Sequence, residues 1–195
     1  MPKQIELHGK GECPFAWRTR LSAFEKGVSF DYIAFDAASP DPRAALNNPG
    51  RRSPLLVHGD FRLTESGVIA QYIDEAFAGR ALVPRAATER ARMRVDSAEL
   101  AQLDVDIHVG VPVTPEARAR LIQGHELLER KLADGRPWLG GEAPLLSDLL
   151  LWPHLVGVQR QLGVRPAPEL ARLAAYLERV LARDSYVQTR PPWAL

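Results

Sequence analysis

Strand-like and helix-like apolar spacings alternate through the first eighty or so residues; beyond them only the helical spacing remains. "IELHG" (Ile5 to Gly9) reads as a strand. "PFAWRTRLSAFEKG" follows, with Phe15, Leu21 and Phe24 at roughly helical spacing and Gly27 as a C-terminal stop. "VSFDYIAF" alternates, placing Val28, Phe30, Tyr32 and Ala34 on one side of a second strand. A Pro-rich connection carries a short helix at Pro42 to Leu46. "LLVHGDFRLTE" is two apolar runs around Gly59-Asp60 and predicts a hairpin. The helix after it starts at Ser66, with Val68, Ile69, Tyr72, Ile73 and Phe77 on one face.

From about Thr88 onward the spacing predicts helices over 88–108, 115–133, 147–162 and 168–183, broken at "VGVPVTP", "DGRPWLGGEAP" and "GVRPAP". The boundary falls in "RALVPRAA". The expected organisation is an α/β domain over 1–80, of order βαβαββα, then an all-α domain over 87–195. The βαβ piece should be parallel and right-handed, and the hairpin adds an antiparallel pair.

Composition changes this picture little. A chain of 195 residues, 46% hydrophobic and 25% charged, suits a soluble globular protein. A net charge of +1 carries no nucleic-acid footprint. No run of about 18 apolar residues predicts a membrane span. The N-terminus enters a strand directly, without a signal-peptide pattern. A single cysteine cannot form an internal disulfide, so a reducing cytoplasm is expected. The five histidines lie at no metal-ligand spacing, so no metal is expected.

The one cysteine is where chemistry enters. Cys13 falls just before the first helix, where unpaired N–H groups and the helix dipole favour a thiolate. Pro14 suits the first helical position. A buried structural cysteine is the alternative. A dithiol redox motif has its second cysteine three residues on, and here that residue is Ala16. A mixed disulfide at Cys13 therefore needs an external thiol, and cells supply glutathione. Two stretches offer a place to hold it. In "RRSPLLV", a cis bond before Pro54 would turn the Ser53 main chain outward to pair with an extended peptide. In "LTESG", Ser66 and the helix N-terminus suit a carboxylate and Glu65 an ammonium, with ordinary helix capping as the alternative. Together these fit the α-amino acid end of a ligand.

The order strand–"CPFAWRTRLSAFEKGV"–strand, "NNPGRRSPLLV", "LTESGVIAQYIDE" and an all-helical half resembles the cytosolic glutathione transferase superfamily over nearly the whole chain. The "CPF" start is most similar to omega-type and related bacterial members. The resemblance implies a thioredoxin-like domain followed by a helical bundle, a homodimer, and glutathione as co-substrate. It implies Cys13 as catalytic, Ser53 and Pro54 at the cysteinyl part of glutathione, and Glu65 and Ser66 at its γ-glutamyl end. Two departures stand out: the family usually has valine where this chain has Ser53, and a capping hydroxyl where it has Leu145, three before Asp148. Arg43, Arg51 and Arg52 are candidates for the glycine carboxylate. Trp17 and Arg20 are candidates to border a second-substrate pocket, with helix packing as the alternative; His8 reads as a surface or strand-end histidine, with an approach to the thiol as the alternative. The activity expected is thiol transfer or reduction through a mixed disulfide with glutathione, acting on a small disulfide or electrophile. The alternatives are conjugation or lyase chemistry, and a non-catalytic protein-binding module.

Overall fold

The computed structural model describes residues 5–35, 42–101, 114–158 and 163–194. Its contacts divide the chain into two compact units, one ending at Leu82 and the other beginning at Val83.

The first unit is a thioredoxin-like sheet with helices on it. Its elements are β1 (Ile5–Gly9), α1 (Pro14–Lys26), β2 (Phe30–Ala34), α2 (Pro42–Asn47), β3 (Leu55–His58), β4 (Phe61–Thr64) and α3 (Ser66–Ala76). The strand order is β2-β1-β3-β4, with β1 parallel to β2 and both other pairs antiparallel. On one face Ile5, Leu7 and Leu56 pack with Ala23 of α1 and Ile69 and Ile73 of α3. On the other, Ile33 and Phe35 pack with Ala44 of α2. Helix α1 stops where the sequence predicts. Gly27 takes φ 78°, the Gly27 N–H bonds the Phe24 carbonyl and the Val28 N–H bonds that of Ala23. The hairpin closes through Gly59 at φ 63°.

Helical spacing overstated burial in two places. Phe24 and Val68 sit on the predicted apolar faces but are 40% and 48% exposed. Each lies at the margin of its face, and Leu21, Ile69 and Ile73 fill the interior. His8 is not a surface residue. It is fully buried, and its Nε2 pairs with Glu6 Oε2 at 2.9 Å; Glu6 also accepts Asn47 Nδ2–H.

The second unit contains α4 (Ala87–Ala101), α5 (Pro115–Lys131), α6 (Leu146–Trp152), α7 (Ala171–Ala182) and α8 (Asp184–Thr189). The expected helix at 88–108 is described as far as Ala101; its remainder, like 159–162, lies outside the described residues. Instead of continuing as one α-helix from 147, the chain widens to a π-helical turn at Pro153–Val158. Proline has no N–H to give to the α-helical ladder, and that is where the ladder changes. Lys131 ties α5 to Asp96 and Glu99 of α4, each at 2.6 Å.

At the core of this unit lies the fully buried Asp148. Its Oδ1 accepts the Leu139 N–H and the Tyr176 hydroxyl, and its Oδ2 accepts the N–H groups of Gly140 and Leu145. The Tyr176 oxygen in turn accepts Trp152 Nε1–H at 2.8 Å. Burial pushes the Asp148 carboxyl above its ordinary range, and these donors pull against it. Leu145 has no side-chain acceptor to offer the helix. The Asp148 N–H bonds the Leu145 carbonyl at 3.0 Å, a main-chain turn that replaces the missing hydroxyl.

Candidate active site

Strand register assembles the site. His8 of β1 pairs with Leu55 of β3, and Leu55 pairs with Thr64 of β4. That row is the last of its ladder, so three chain segments meet at one end of the sheet. They are the loop leaving β1 toward Cys13, the turn through Ser53-Pro54 into β3, and the step from β4 through Glu65 into α3. Neighbouring strands lie about 4.8 Å apart, which brings residues some fifty positions apart in sequence within reach of one small ligand.

Cys13 is the N-cap of α1, at φ −80° and ψ 115°, and Pro14 follows it. Its side chain makes no capping bond, so the sulfur is not spent on the helix. The thiol is free and half-buried. Its Sγ lies 3.8 Å from the Ser53 carbonyl oxygen. The Ser53–Pro54 peptide bond is cis.

Glu65 takes φ 69°, a conformation that non-glycine residues adopt at a cost of about 1–3 kcal/mol. It occupies the N-cap of α3, yet its side chain makes no capping bond. The capping alternative therefore leaves its carboxylate unexplained. Ser66, the first residue of α3, is buried.

Of the three candidate arginines, Arg43 is engaged with Asp31 at 3.0 Å, while Arg51 and Arg52 are exposed beside Ser53. Their loop is organised by Asn48. This buried amide donates to the Arg52 carbonyl and accepts the Arg52 N–H, both at 2.8 Å. Sequence reasoning passed over Asn48; the signal available was the turn-forming run "NNPG".

Trp17 is fully buried, which leaves it packing rather than lining a pocket. The Arg20 guanidinium stacks on the Tyr32 ring, 4.3 Å from its centroid. Burial works against the Arg20 charge, and Tyr32 and Cys13 hold it up. Among the described residues no group of three or more metal-ligating side chains occurs, and no helix is long and apolar enough to cross a membrane.

Residues 7–81 match the family model described as Glutathione S-transferase, N-terminal domain. The chain is 30% identical over 154 residues to Glutathione S-transferase U6 of Arabidopsis thaliana, spanning 76% of this chain and 69% of that one. The chain belongs to the glutathione S-transferase family. It is also 27% identical over 156 residues to Glutathione S-transferase omega-1 of Mus musculus, covering 77% of this chain and 65% of the mouse protein. Among solved structures, rice GST1 in complex with glutathione superposes with a TM-score of 0.76 at 26% identity, covering 99% of this chain and 92% of the rice one. Identity to the omega-named relative is no higher than to the plant relative.

Proposed function

We propose that this family member is a cysteine-type, omega-like enzyme, a glutathione-dependent thiol transferase and reductase with Cys13 as its nucleophile. The observation that carries the reading is the contact of a free, half-buried thiol with the Ser53 main chain, at the same end of the sheet as Glu65. Glutathione would lie along this edge. Its cysteinyl part pairs with the Ser53 main chain beside Pro54. Its γ-glutamyl carboxylate meets the Ser66 hydroxyl and the first N–H groups of α3, and its ammonium meets the Glu65 carboxylate. That assignment gives the unused Glu65 side chain a partner. The rice relative's complex with glutathione supports the same ligand here.

The chemistry follows from there being one cysteine. The Cys13 thiolate attacks the glutathione sulfur of a mixed disulfide. A bond forms between Cys13 and glutathione, and the other thiolate leaves and takes up a proton. A second glutathione thiolate then attacks the Cys13 adduct, releasing oxidised glutathione and the free Cys13 thiolate. Ala16 offers no internal thiol to compete with that step.

Residues 1–80 form the glutathione-binding domain and 87–195 the helical domain of a cytoplasmic homodimer in this reading. Its test is glutathione-dependent reduction of a small mixed disulfide by wild type and Cys13→Ser. Loss of about a thousandfold or more in turnover is expected when a nucleophile is removed. Undiminished turnover would overturn the mechanism. Conjugation is the second reading, favoured by the general transferase names of the relatives. There Cys13 only orients the glutathione sulfur, and Cys13→Ser would still conjugate glutathione to an aromatic halide.

A further inference from the structure

The loop from Gly9 to Cys13 is held through the two peptide groups on either side of the Lys10 Cα. The Lys10 N–H donates to Ser53 Oγ at 2.9 Å. The Lys10 carbonyl accepts the Tyr32 hydroxyl at 3.1 Å and the Cys13 N–H at 3.1 Å. The Tyr32 hydroxyl is shared with the Gly9 carbonyl, also at 3.1 Å. Space around the loop is correspondingly tight. A Cβ at Gly9 would stand 2.4 Å from Ala16 Cβ, 3.3 Å from the Tyr32 hydroxyl oxygen and 3.4 Å from Ser53 Oγ. The Arg20 guanidinium lies over the Tyr32 ring and limits how that ring can turn. Its Nε and Nη2 are buried without a hydrogen-bond acceptor among the described residues.

Two side chains from different elements thus fix the main chain that carries the thiol. Tyr32 ties it to β2, and Ser53 ties it to the turn before β3. Ser53 acts twice: its hydroxyl holds Lys10, and its carbonyl meets the Cys13 sulfur.

We propose that Tyr32 and Ser53 are positioning residues for Cys13, their hydroxyls latching the Lys10 main chain on either side of its Cα so that the sulfur is held against the Ser53 main chain. The inference rests on the reading of Cys13 as nucleophile. A reacting sulfur must stand within a few tenths of an ångström of its attack position, and displacement by about 1 Å costs on the order of a hundredfold in rate. Loss of one latch leaves the other, so a smaller effect is expected from either alone.

The test compares Tyr32→Phe, Ser53→Val and Ser53→Thr in the full chain. Val and Thr differ at position 53 only by methyl for hydroxyl, which isolates the hydrogen bond. Turnover and KM for glutathione are measured in disulfide reduction, together with the rate of Cys13 alkylation by iodoacetamide. Tyr32→Phe and Ser53→Val should each lose about tenfold in kcat with KM for glutathione within about twofold, and Ser53→Thr should recover most of the kcat that Ser53→Val loses. Alkylation by the small reagent should stay within about threefold of wild type, because the thiol remains present and folded, only less well aimed. Wild-type kcat in Tyr32→Phe and Ser53→Val overturns the latch. So does a Ser53→Thr as impaired as Ser53→Val, or a kcat loss matched by lowered thermal stability and faster alkylation. Cys13→Ser in the same assay separates the two claims. Activity retained there removes the nucleophile and the latch with it. An inactive Cys13→Ser beside fully active Tyr32→Phe and Ser53→Val removes the latch alone.

Discussion

At Asp148 one carboxylate, with no cation bonded to it among the described residues, gathers three main-chain N–H groups and a tyrosine hydroxyl in the dry core of the second unit. Asparagine keeps the shape but replaces one oxygen by an NH2 group. Two of the four donors would then face another donor. Each buried donor left unsatisfied costs about 1–3 kcal/mol, so Asp148→Asn should destabilise the protein by roughly 2–5 kcal/mol in urea unfolding. A change under about 0.5 kcal/mol would show that the network is slack. From the sequence Asp148 was legible as a residue serving a helix N-terminus, because that role is local. Its bond to Tyr176, twenty-eight positions away, was not. The same contrast holds in the first unit. Cys13 was legible as the residue before a helix, while the burial of His8 and Trp17 depended on what packs over them.

Among the elements, α7 begins at Ala171 and its N-cap, Leu170, has no side-chain bond to give. Glu129 on α5 supplies it instead. Its carboxylate accepts the N–H groups of Arg172 and Leu173 and the Arg172 guanidinium. Burial pushes the Glu129 carboxyl up, but the N–H groups and the guanidinium outweigh it and hold the group below its ordinary value. A depressed folded value means the stabilisation is full above the unfolded carboxyl value, about 4.3, and is lost as pH falls through the folded one. Glu129→Gln should therefore cost about 1 kcal/mol at neutral pH, with the difference from wild type shrinking at about pH 3. Urea unfolding at the two pH values checks this, and an equal difference at both would remove the charge argument. No local pattern announces a cap contributed by another helix. By contrast α1 and its glycine stop, and the hairpin at Gly59, were legible because their signals lie within a few residues of the structure they produce.

For the whole molecule, the homodimer proposed here has a direct readout in sedimentation equilibrium, where two chains per particle are expected. A single-chain mass at micromolar concentration would remove it. The larger lesson concerns how the site comes together. By itself the sequence determined the alternation of strands and helices, the switch to an all-helical half, and the local character of Cys13, Ser53-Pro54 and Glu65-Ser66. Each of those rests on short-range physics: apolar period, helix termini and turn chemistry. Tertiary structure alone decided that the row His8–Leu55–Thr64 brings the three stretches to one end of the sheet. It alone decided that the Glu65 carboxylate is not used as a cap, and that Tyr32 and Ser53 close on the Lys10 main chain. Those contacts join residues from nine to more than forty positions apart. They depend on strand register and packing, which no single stretch of sequence contains.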